Sequence, residues 1–513
     1  MDYKKTYIIA TLGCKLNQYD SGKVAGLMRK KGLMPYSSSD GGPDVTIVNT
    51  CIVTAEGERK SRQAIRRMRI KYPRALLAVI GCYPQMYSYG VMNIEGVDIY
   101  AGTTGHDALV DKMILMLGIR DSGGGEGDGY ESNDDIGSED DDIGGGDDMG
   151  GDERVRAYVK IQEGCDNYCN YCVVPYVRGR ARSRELTDIM DEVDSVLLRG
   201  APEIVLTGTH ISSYKTKTTS NVDQTDIHAN TSSNVLILYS IGSEITLGEL
   251  VDIISRRLRR ENRNMRLRLS SLEPAGITPD FVSIISTNRD MVCPHFHLSL
   301  QSGSADILRL MNRRYTPDEY KKAVALLRGA FPDAAITTDI ITGFPGESED
   351  DFHATMDFCR EIAFAKIHVF PYSNRPKTRA MELTNKISPQ IKRERAKRLI
   401  ALSEEMSLAF NSRYVGQDVQ ILVERNANGI YEGLTANYIR VRASDLRATD
   451  KRAPDTHESK KRISDTCVLN MRAYGINNGA SCCSQRLIPR CAFATAHITE
   501  ASASGLYGNI KTK

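Results

Sequence analysis

The chain has no hydrophobic run approaching the roughly 20 residues that span a bilayer, which argues against a membrane-crossing helix. It also lacks a secretory signal at its start: Met1-Asp2-Tyr3-Lys4-Lys5 leads into a strand-like segment, so a cytoplasmic protein with reduced thiols is expected. Net charge is scarce too, at +2 from 67 basic and 65 acidic side chains. That near-balance conceals an asymmetry. Residues 121–153 are almost all Asp, Glu, Gly and Ser, leaving the rest of the chain correspondingly basic, which suits a polyanionic partner. The acidic stretch has no hydrophobic periodicity and reads as a disordered linker. A second irregular stretch, residues 215–234, is rich in Thr, Ser and Asn and reads as an inserted loop. The 513 residues, 41% hydrophobic and 26% charged, suffice for two or three domains.

Before the acidic stretch, apolar β-rich runs at 7–10, 45–49 and 76–80 alternate with helical patterns at 18–31 and 56–71. This alternation predicts a parallel α/β sheet. Each run ends in a cysteine: Leu12-Gly13-Cys14, Asn49-Thr50-Cys51 and Ile80-Gly81-Cys82. Ligand sites of open α/β sheets form beyond the carboxyl ends of their strands, so these thiols can converge. Three thiolates without a fourth suit an iron–sulfur cluster with one open iron or a zinc ion with an open position; three separate core cysteines is the alternative reading.

After the acidic stretch comes Glu163-Gly164-Cys165-Asp166-Asn167-Tyr168-Cys169-Asn170-Tyr171-Cys172, a C-x3-C-x2-C run directly behind a strand-like segment. Such spacing folds a short loop around one cubic cluster, holding three irons and leaving the fourth free. Structural zinc favours paired C-x2-C knuckles, and no matching pair follows nearby. Strand-like runs recur at 157–162, 203–207, 266–270, 295–300, 336–341 and 365–369, with helical patterns at 185–199, 247–260, 317–328 and 349–362. Six βα units predict a partial barrel with its site at the carboxyl ends of the strands. Polar or glycine-rich turns follow the strands at that pole, among them Thr207-Gly208-Thr209-His210, Gln301-Ser302-Gly303-Ser304 and Gly343-Phe344-Pro345-Gly346-Glu347.

These residues resemble the methylthiotransferases, and most closely those acting on threonylcarbamoyladenosine in tRNA. The likeness covers residues 5–118 and 154–442. It is carried by the stretch Leu12-Gly13-Cys14-Lys15-Leu16-Asn17-Gln18-Tyr19-Asp20, the contexts of Cys51 and Cys82, and the loop from Cys165 to Cys172. Leu206-Thr207-Gly208-Thr209-His210, Arg268-Leu269-Ser270-Ser271-Leu272-Glu273-Pro274 and His297-Leu298-Ser299-Leu300-Gln301-Ser302-Gly303 point to the subgroup. The resemblance implies two 4Fe-4S clusters and S-adenosylmethionine as cofactors. Cys165, Cys169 and Cys172 would hold the cluster that binds and reductively cleaves S-adenosylmethionine to a 5′-deoxyadenosyl radical. Cys14, Cys51 and Cys82 would hold an auxiliary cluster that carries the sulfur and accepts a methyl group. Thr207, Gly208, Gln301, Ser302, Gly343 and Glu347 are candidate S-adenosylmethionine contacts. The implied reaction adds a methylthio group to C2 of N6-threonylcarbamoyladenosine at position 37, in the tRNA anticodon loop. The alternatives are the same transfer to isopentenyladenosine in tRNA or to a protein side chain. A reducing electron donor and a sulfur donor are implied as partners.

The expected layout is an N-terminal methylthiotransferase domain over 1–120, the linker 121–153, a radical S-adenosylmethionine domain over 154–385 forming a partial (β/α)6 barrel, and an RNA-binding region over 386–445. That region begins with a basic amphipathic helix at 388–414, with Ile391, Leu399, Leu402, Met406 and Phe410 on or near one face. Strand-like runs at 417–424 and 429–441 resemble the small TRAM-like β-barrel that ends such enzymes, where Tyr431, Tyr438, Arg440 and Arg442 are candidates to meet RNA. After about residue 444 strand periodicity is lost, so 446–513 reads as a divergent tail, and the sequence leaves open whether it completes the barrel. Cys467, Cys482, Cys483 and Cys491 receive no role, and Cys293 and Cys359 read as core cysteines.

Overall fold

Burial of β-branched runs between helices organises the first third of the chain. The computed structural model describes residues 4–37, 41–87, 96–119, 155–218, 241–261, 264–427, 429–444 and 493–511. The acidic stretch 121–153, most of the insert 215–234, and Cys467, Cys482, Cys483 and Cys491 lie outside the described residues. The first domain comprises β1 (Thr6–Thr11), α1 (Lys15–Lys30), β2 (Met34–Pro35), β3 (Val45–Thr50) and α2 (Ala55–Lys71). It continues with β4 (Leu76–Gly81), α3 (Cys82–Met86), β5 (Ile99–Tyr100) and α4 (His106–Met116). The strands form one parallel sheet in the order β2-β1-β3-β4-β5. β3 is buried at every position, as a central strand covered on both faces must be. Strand order reverses between β1 and β3, the place where such sheets open a ligand crevice. α1 starts at Lys15, ahead of the residue 18 expected from its apolar pattern, because Cys14 serves as its N-cap residue while its side chain makes no capping hydrogen bond.

The second domain contains β6 (Arg156–Glu163), α5 (Val174–Arg178), β7 (Arg182–Ser183), α6 (Leu186–Arg199), β8 (Glu203–Gly208), β9 (Lys215–Lys217) and β10 (Glu244–Thr246). It continues with α7 (Leu247–Arg260), β11 (Arg266–Leu269), α8 (Pro279–Thr287), β12 (His295–His297), α9 (Ala305–Leu310) and α10 (Pro317–Ala330). β13 (Ala335–Thr342), α11 (Glu349–Ile362) and β14 (Lys366–Pro371) complete it. Six strands run parallel in the order β6-β8-β11-β12-β13-β14, with β11 linked to β12 through bridges from Leu267 to Val292 and from Leu272 to Leu298. The result is the partial barrel expected from the sequence. Cys293 and Cys359 are core residues, at 2% and 0% exposure. α1 of the first domain seals part of the barrel's inner face, where Tyr19 packs with Tyr158 of β6 and Val205 of β8.

A long helix, α12 (Pro389–Ser412), then packs on β14 and leads to β15 (Asp418–Ala427), β16 (Ile430–Thr435), β17 (Arg440–Ser444), β18 (Phe493–Ser502) and β19 (Gly505–Lys511). Leu399, Leu402 and Phe410 of α12 are buried, whereas Ile391 stands 43% exposed near its start. The five strands close a barrel in the order β15-β16-β17-β19-β18. Two expectations are corrected here. The run 429–441 is a hairpin with Tyr438 at a φ of +69°, and Thr435 Oγ1 accepts a hydrogen bond from Ile439 N–H across its turn. The barrel is complete, since β18 and β19 come from the part read as a tail without strand periodicity. Those strands are built from Ala, Thr and Gly with few large apolar residues, and their inward side chains Ala496, Ile498 and Leu506 are buried by closure of the barrel.

Candidate active site: two cysteine trios on one wall

The three strand-end cysteines of the first domain meet. Gly13 adopts a φ of +100°, and a Cβ there would stand 2.6 Å from the Cys51 Cβ and 2.9 Å from its Sγ, so only glycine lets the turn before Cys14 come this close. Asn17, fully buried, ties the two strand ends together by donating to Leu12 O at 2.6 Å and to Thr50 O at 3.0 Å. Ser61 of α2 fixes the Cys51 backbone, accepting from its N–H at 3.0 Å and donating to its carbonyl at 2.9 Å. Thr50 Oγ1 donates to Ile80 O at 2.6 Å and accepts from Tyr83 N–H at 3.2 Å, holding the turn at Cys82. Burial and the neighbouring Cys82 and Cys14 push the Cys51 thiol far up. Burial likewise pushes Cys82 up to about 11, against the pull of Arg178.

The second trio lies on the loop behind β6. Gly164 holds a φ of +75° where a Cβ would strike Arg180 O at 2.0 Å, and Gln162 Nε2 donates to Gly164 O at 2.7 Å. Gln162 Oε1 accepts from His210 N–H at 2.8 Å, so the turn after β8 is locked to the cysteine loop. Cys165 Sγ accepts from Asn167 N–H at 3.5 Å, and Cys169 Sγ accepts from Arg313 Nη1 at 3.3 Å. Arg313 is itself paired with Glu273. Burial, reinforced by Cys169, pushes the Cys172 thiol up to about 12. A cleft beside this loop is lined by Cys169, His210, Ser212, Glu273, Asn312 and Arg313.

The trios share a boundary between domains. Ile52, next to Cys51, packs with Cys82, Tyr83, Met86, Val173 and Val177, and Val173 directly follows Cys172. Arg178 at the end of α5 spans the same boundary, donating to Asn17 Oδ1 at 2.6 Å, to Asp20 Oδ2 at 3.2 Å and, through Nη1, to Glu163 Oε1 at 2.8 Å. Burial opposes its charge, but Asp20, Cys82, Cys14 and Glu163 more than compensate. Arg375 adds a second strut, reaching Ile52 O at 3.3 Å and Glu58 Oε2 at 2.6 Å. Sequence reasoning missed Arg178, Arg313 and Arg375. Asn17 and Asp20 lay inside a quoted motif, but nothing in it told their partners.

The other predicted positions sit on the same pole. Thr207 is buried and Gly208 ends β8; a Cβ on Gly208 would stand 2.7 Å from Gln162 O. Gln301 has a φ of +70° and bonds through its backbone to Asp339 and Ile341. The Ser302 hydroxyl lies 3.2 Å from Thr355 Oγ1. Glu347 accepts from Gly343 N–H at 2.7 Å and pairs with Arg395 at 2.6 Å, so its carboxylate braces the turn. In the small barrel, Tyr431 packs against the barrel core, Arg442 is exposed beside Glu432, and Tyr438 turns inward toward the larger barrel. Tyr438 therefore faces the inside of the larger barrel and not the outer surface of the small one.

The donor chemistry fits iron–sulfur clusters. Each trio consists of thiols with one arginine nearby, Cys51, Cys82 and Cys169 being buried, Cys165 and Cys172 half-buried and Cys14 exposed, and metal binding would displace their protons. Among the described residues no three Cys, His, Asp or Glu side chains stand close enough to share a single ion.

Residues 159–359 match the radical SAM superfamily, and residues 6–102 match the uncharacterized protein family UPF0004. The six-stranded domain is therefore a radical S-adenosylmethionine domain. The threonylcarbamoyladenosine tRNA methylthiotransferase MtaB of Bacillus subtilis is 32% identical over 85% of this chain and 90% of its own. Its namesake in Aquifex aeolicus is 33% identical over 86% of this chain and 97% of its own. A tRNA-2-methylthio-N(6)-dimethylallyladenosine synthase of Caldicellulosiruptor saccharolyticus is 31% identical over 86% and 88%, respectively. The chain belongs to the methylthiotransferase family of radical S-adenosylmethionine enzymes.

Proposed function

We propose that this protein transfers a methylthio group to C2 of N6-threonylcarbamoyladenosine in the anticodon loop of tRNA, using S-adenosylmethionine and two 4Fe-4S clusters. The observation that carries this reading is the pair of cysteine trios bordering one apolar wall at the carboxyl ends of two parallel sheets. Cys165, Cys169 and Cys172 hold one cluster, and Cys14, Cys51 and Cys82 the other. When bound, the clusters and S-adenosylmethionine supply the electron, the radical and the sulfur. The protein's own part is placement. Ile52, Val173 and Val177 keep water from the space between the trios, and Arg178 fixes the distance between α1 and the cysteine loop. Thr207, Gly208, Gln301 and Gly343 line the S-adenosylmethionine site, with Ser302 and Glu347 acting through the turns they brace. The small barrel presents Arg442 and neighbouring basic side chains to tRNA. The enzyme works in the cytoplasm, where thiols stay reduced, and takes electrons from a reducing partner and sulfur from a donor. An isopentenyladenosine substrate is the second reading, favoured by the 31% identity to the dimethylallyladenosine synthase.

The test is anaerobic reconstitution followed by measurement of iron and of deoxyadenosine release from S-adenosylmethionine. About eight irons per chain are expected in the wild type and about four in both Cys14→Ala and Cys169→Ala. Cleavage should survive in Cys14→Ala and vanish in Cys169→Ala. Four irons in the wild type, unchanged by Cys14→Ala, would remove the auxiliary cluster.

A further inference from the structure

Below the cysteine trios the inside of the six-stranded barrel is polar. In the ladders from β12 to β14, His297 is opposite Thr337, and Asp339 is opposite His368, while Ile336, Ile340 and Ile367 on the other face join the apolar core. His297 Nε2 lies 3.3 Å from Asp339 Oδ2, and the His297 and His368 rings are 5.8 Å apart. Tyr438 forms a floor, stacked at 4.7 Å on His295 and at 4.7 Å from the Arg268 guanidinium.

One cation enters this chamber from the other domain. Lys15 directly follows Cys14 and opens α1, and its ammonium stands 6.0 Å from the centre of the Tyr438 ring. Burial raises the Asp339 carboxyl, but His297, the hydrogen bond from it, His368 and Lys15 outweigh burial and hold it below the usual carboxylate range. Asp339 is committed to His297, and among the described residues Lys15 itself makes no ion pair or hydrogen bond. A half-buried ammonium whose neighbours are an aromatic ring and a carboxylate already bonded to His297 is better stabilised when a further anion is brought to it.

The substrate brings one. The threonylcarbamoyl group hangs from N6 and ends in a carboxylate. The reacting C2 and the carbon bearing N6 flank a single ring nitrogen, so an adenine that offers C2 to the site of the first trio carries its N6 substituent alongside the residues that flank those cysteines, of which Lys15 is the one cation. We infer that Lys15 is the specificity-determining residue that receives the carboxylate of the threonylcarbamoyl group, with His297 and His368 beside it. This rests on the proposed substrate. A dimethylallyl group would leave the ammonium unpaired, so the same lysine selects against that substrate.

The test uses the reconstituted full chain and three anticodon stem-loop RNAs, carrying threonylcarbamoyladenosine, its neutral threoninamide analogue, or dimethylallyladenosine. The wild type should bind the carboxylate RNA roughly ten- to a hundredfold more tightly than the amide, the range for a hydrogen bond to a charged group. Lys15→Met should abolish that preference and Lys15→Arg should restore most of it. The change should fall on KM with kcat and iron content retained. Two results overturn the inference: Lys15→Met keeping the preference for the carboxylate, or Lys15→Met losing iron together with affinity for all three RNAs equally, which makes Lys15 a partner of the cluster. A wild type that methylthiolates only the dimethylallyl RNA overturns the substrate reading itself, and the inference with it.

Discussion

Arg178 joins the two halves of the site. Its guanidinium is shared among Asn17, Asp20 and Glu163, and its side chain is 2% exposed. Removing it strands the Asp20 carboxylate, itself 4% exposed, with only Lys160 at 3.3 Å. Arg178→Ala should therefore lower unfolding free energy by about 3–5 kcal/mol, the usual result of breaking a buried pair, as read from the urea midpoint of the metal-free protein. Arg178→Lys restores charge but not the three-way fork, and should recover only part of the loss. Nothing along the chain marks Arg178 as different from the other basic residues in this region. The six cysteines were legible because cysteine is uncommon and its spacing carries chemical meaning; an arginine acquires its role only from what it reaches.

At the scale of elements, the turn before α1 decides whether the first trio can form. Gly13→Ala would place a methyl group on the Cys51 Cβ in a backbone conformation that L side chains rarely adopt. The expected result is a folded protein that has lost about half of its iron while still cleaving S-adenosylmethionine, checked by iron analysis and deoxyadenosine release. Alternation of β-branched runs with helical patterns made most strands and helices readable. It failed at the turn between β16 and β17, where the chain reverses at Asn437 and Tyr438. That reversal depends on Asn437 Nδ2 donating to Tyr414 OH at 2.5 Å and on the stacking of Tyr438 over His295, contacts remote in sequence.

For the whole molecule, closure of the small barrel depends on the last described strands. β19 pairs in parallel with β17 and antiparallel with β18, and β18 returns to β15. Ending the chain after Ser444 would expose two strand edges and the buried Ile421 and Val441. Such a truncation should weaken binding of tRNA and flatten its salt dependence while S-adenosylmethionine cleavage persists, measured by titration at several salt concentrations. No helix among the described residues is long and apolar enough to cross a membrane.

By itself the sequence determined the parallel α/β start, the six-stranded barrel, the placement of each cysteine after a strand, and the likeness to the methylthiotransferases. All of these are written in local periods and short spacings. The tertiary structure alone decided that the two trios share a wall, that Arg178 answers Asn17 across 161 residues, that Tyr438 faces the larger barrel, and that β18 and β19 close the smaller one. These depend on how the domains dock, and docking is set by shape and charge between segments whose separation along the chain leaves no period to read.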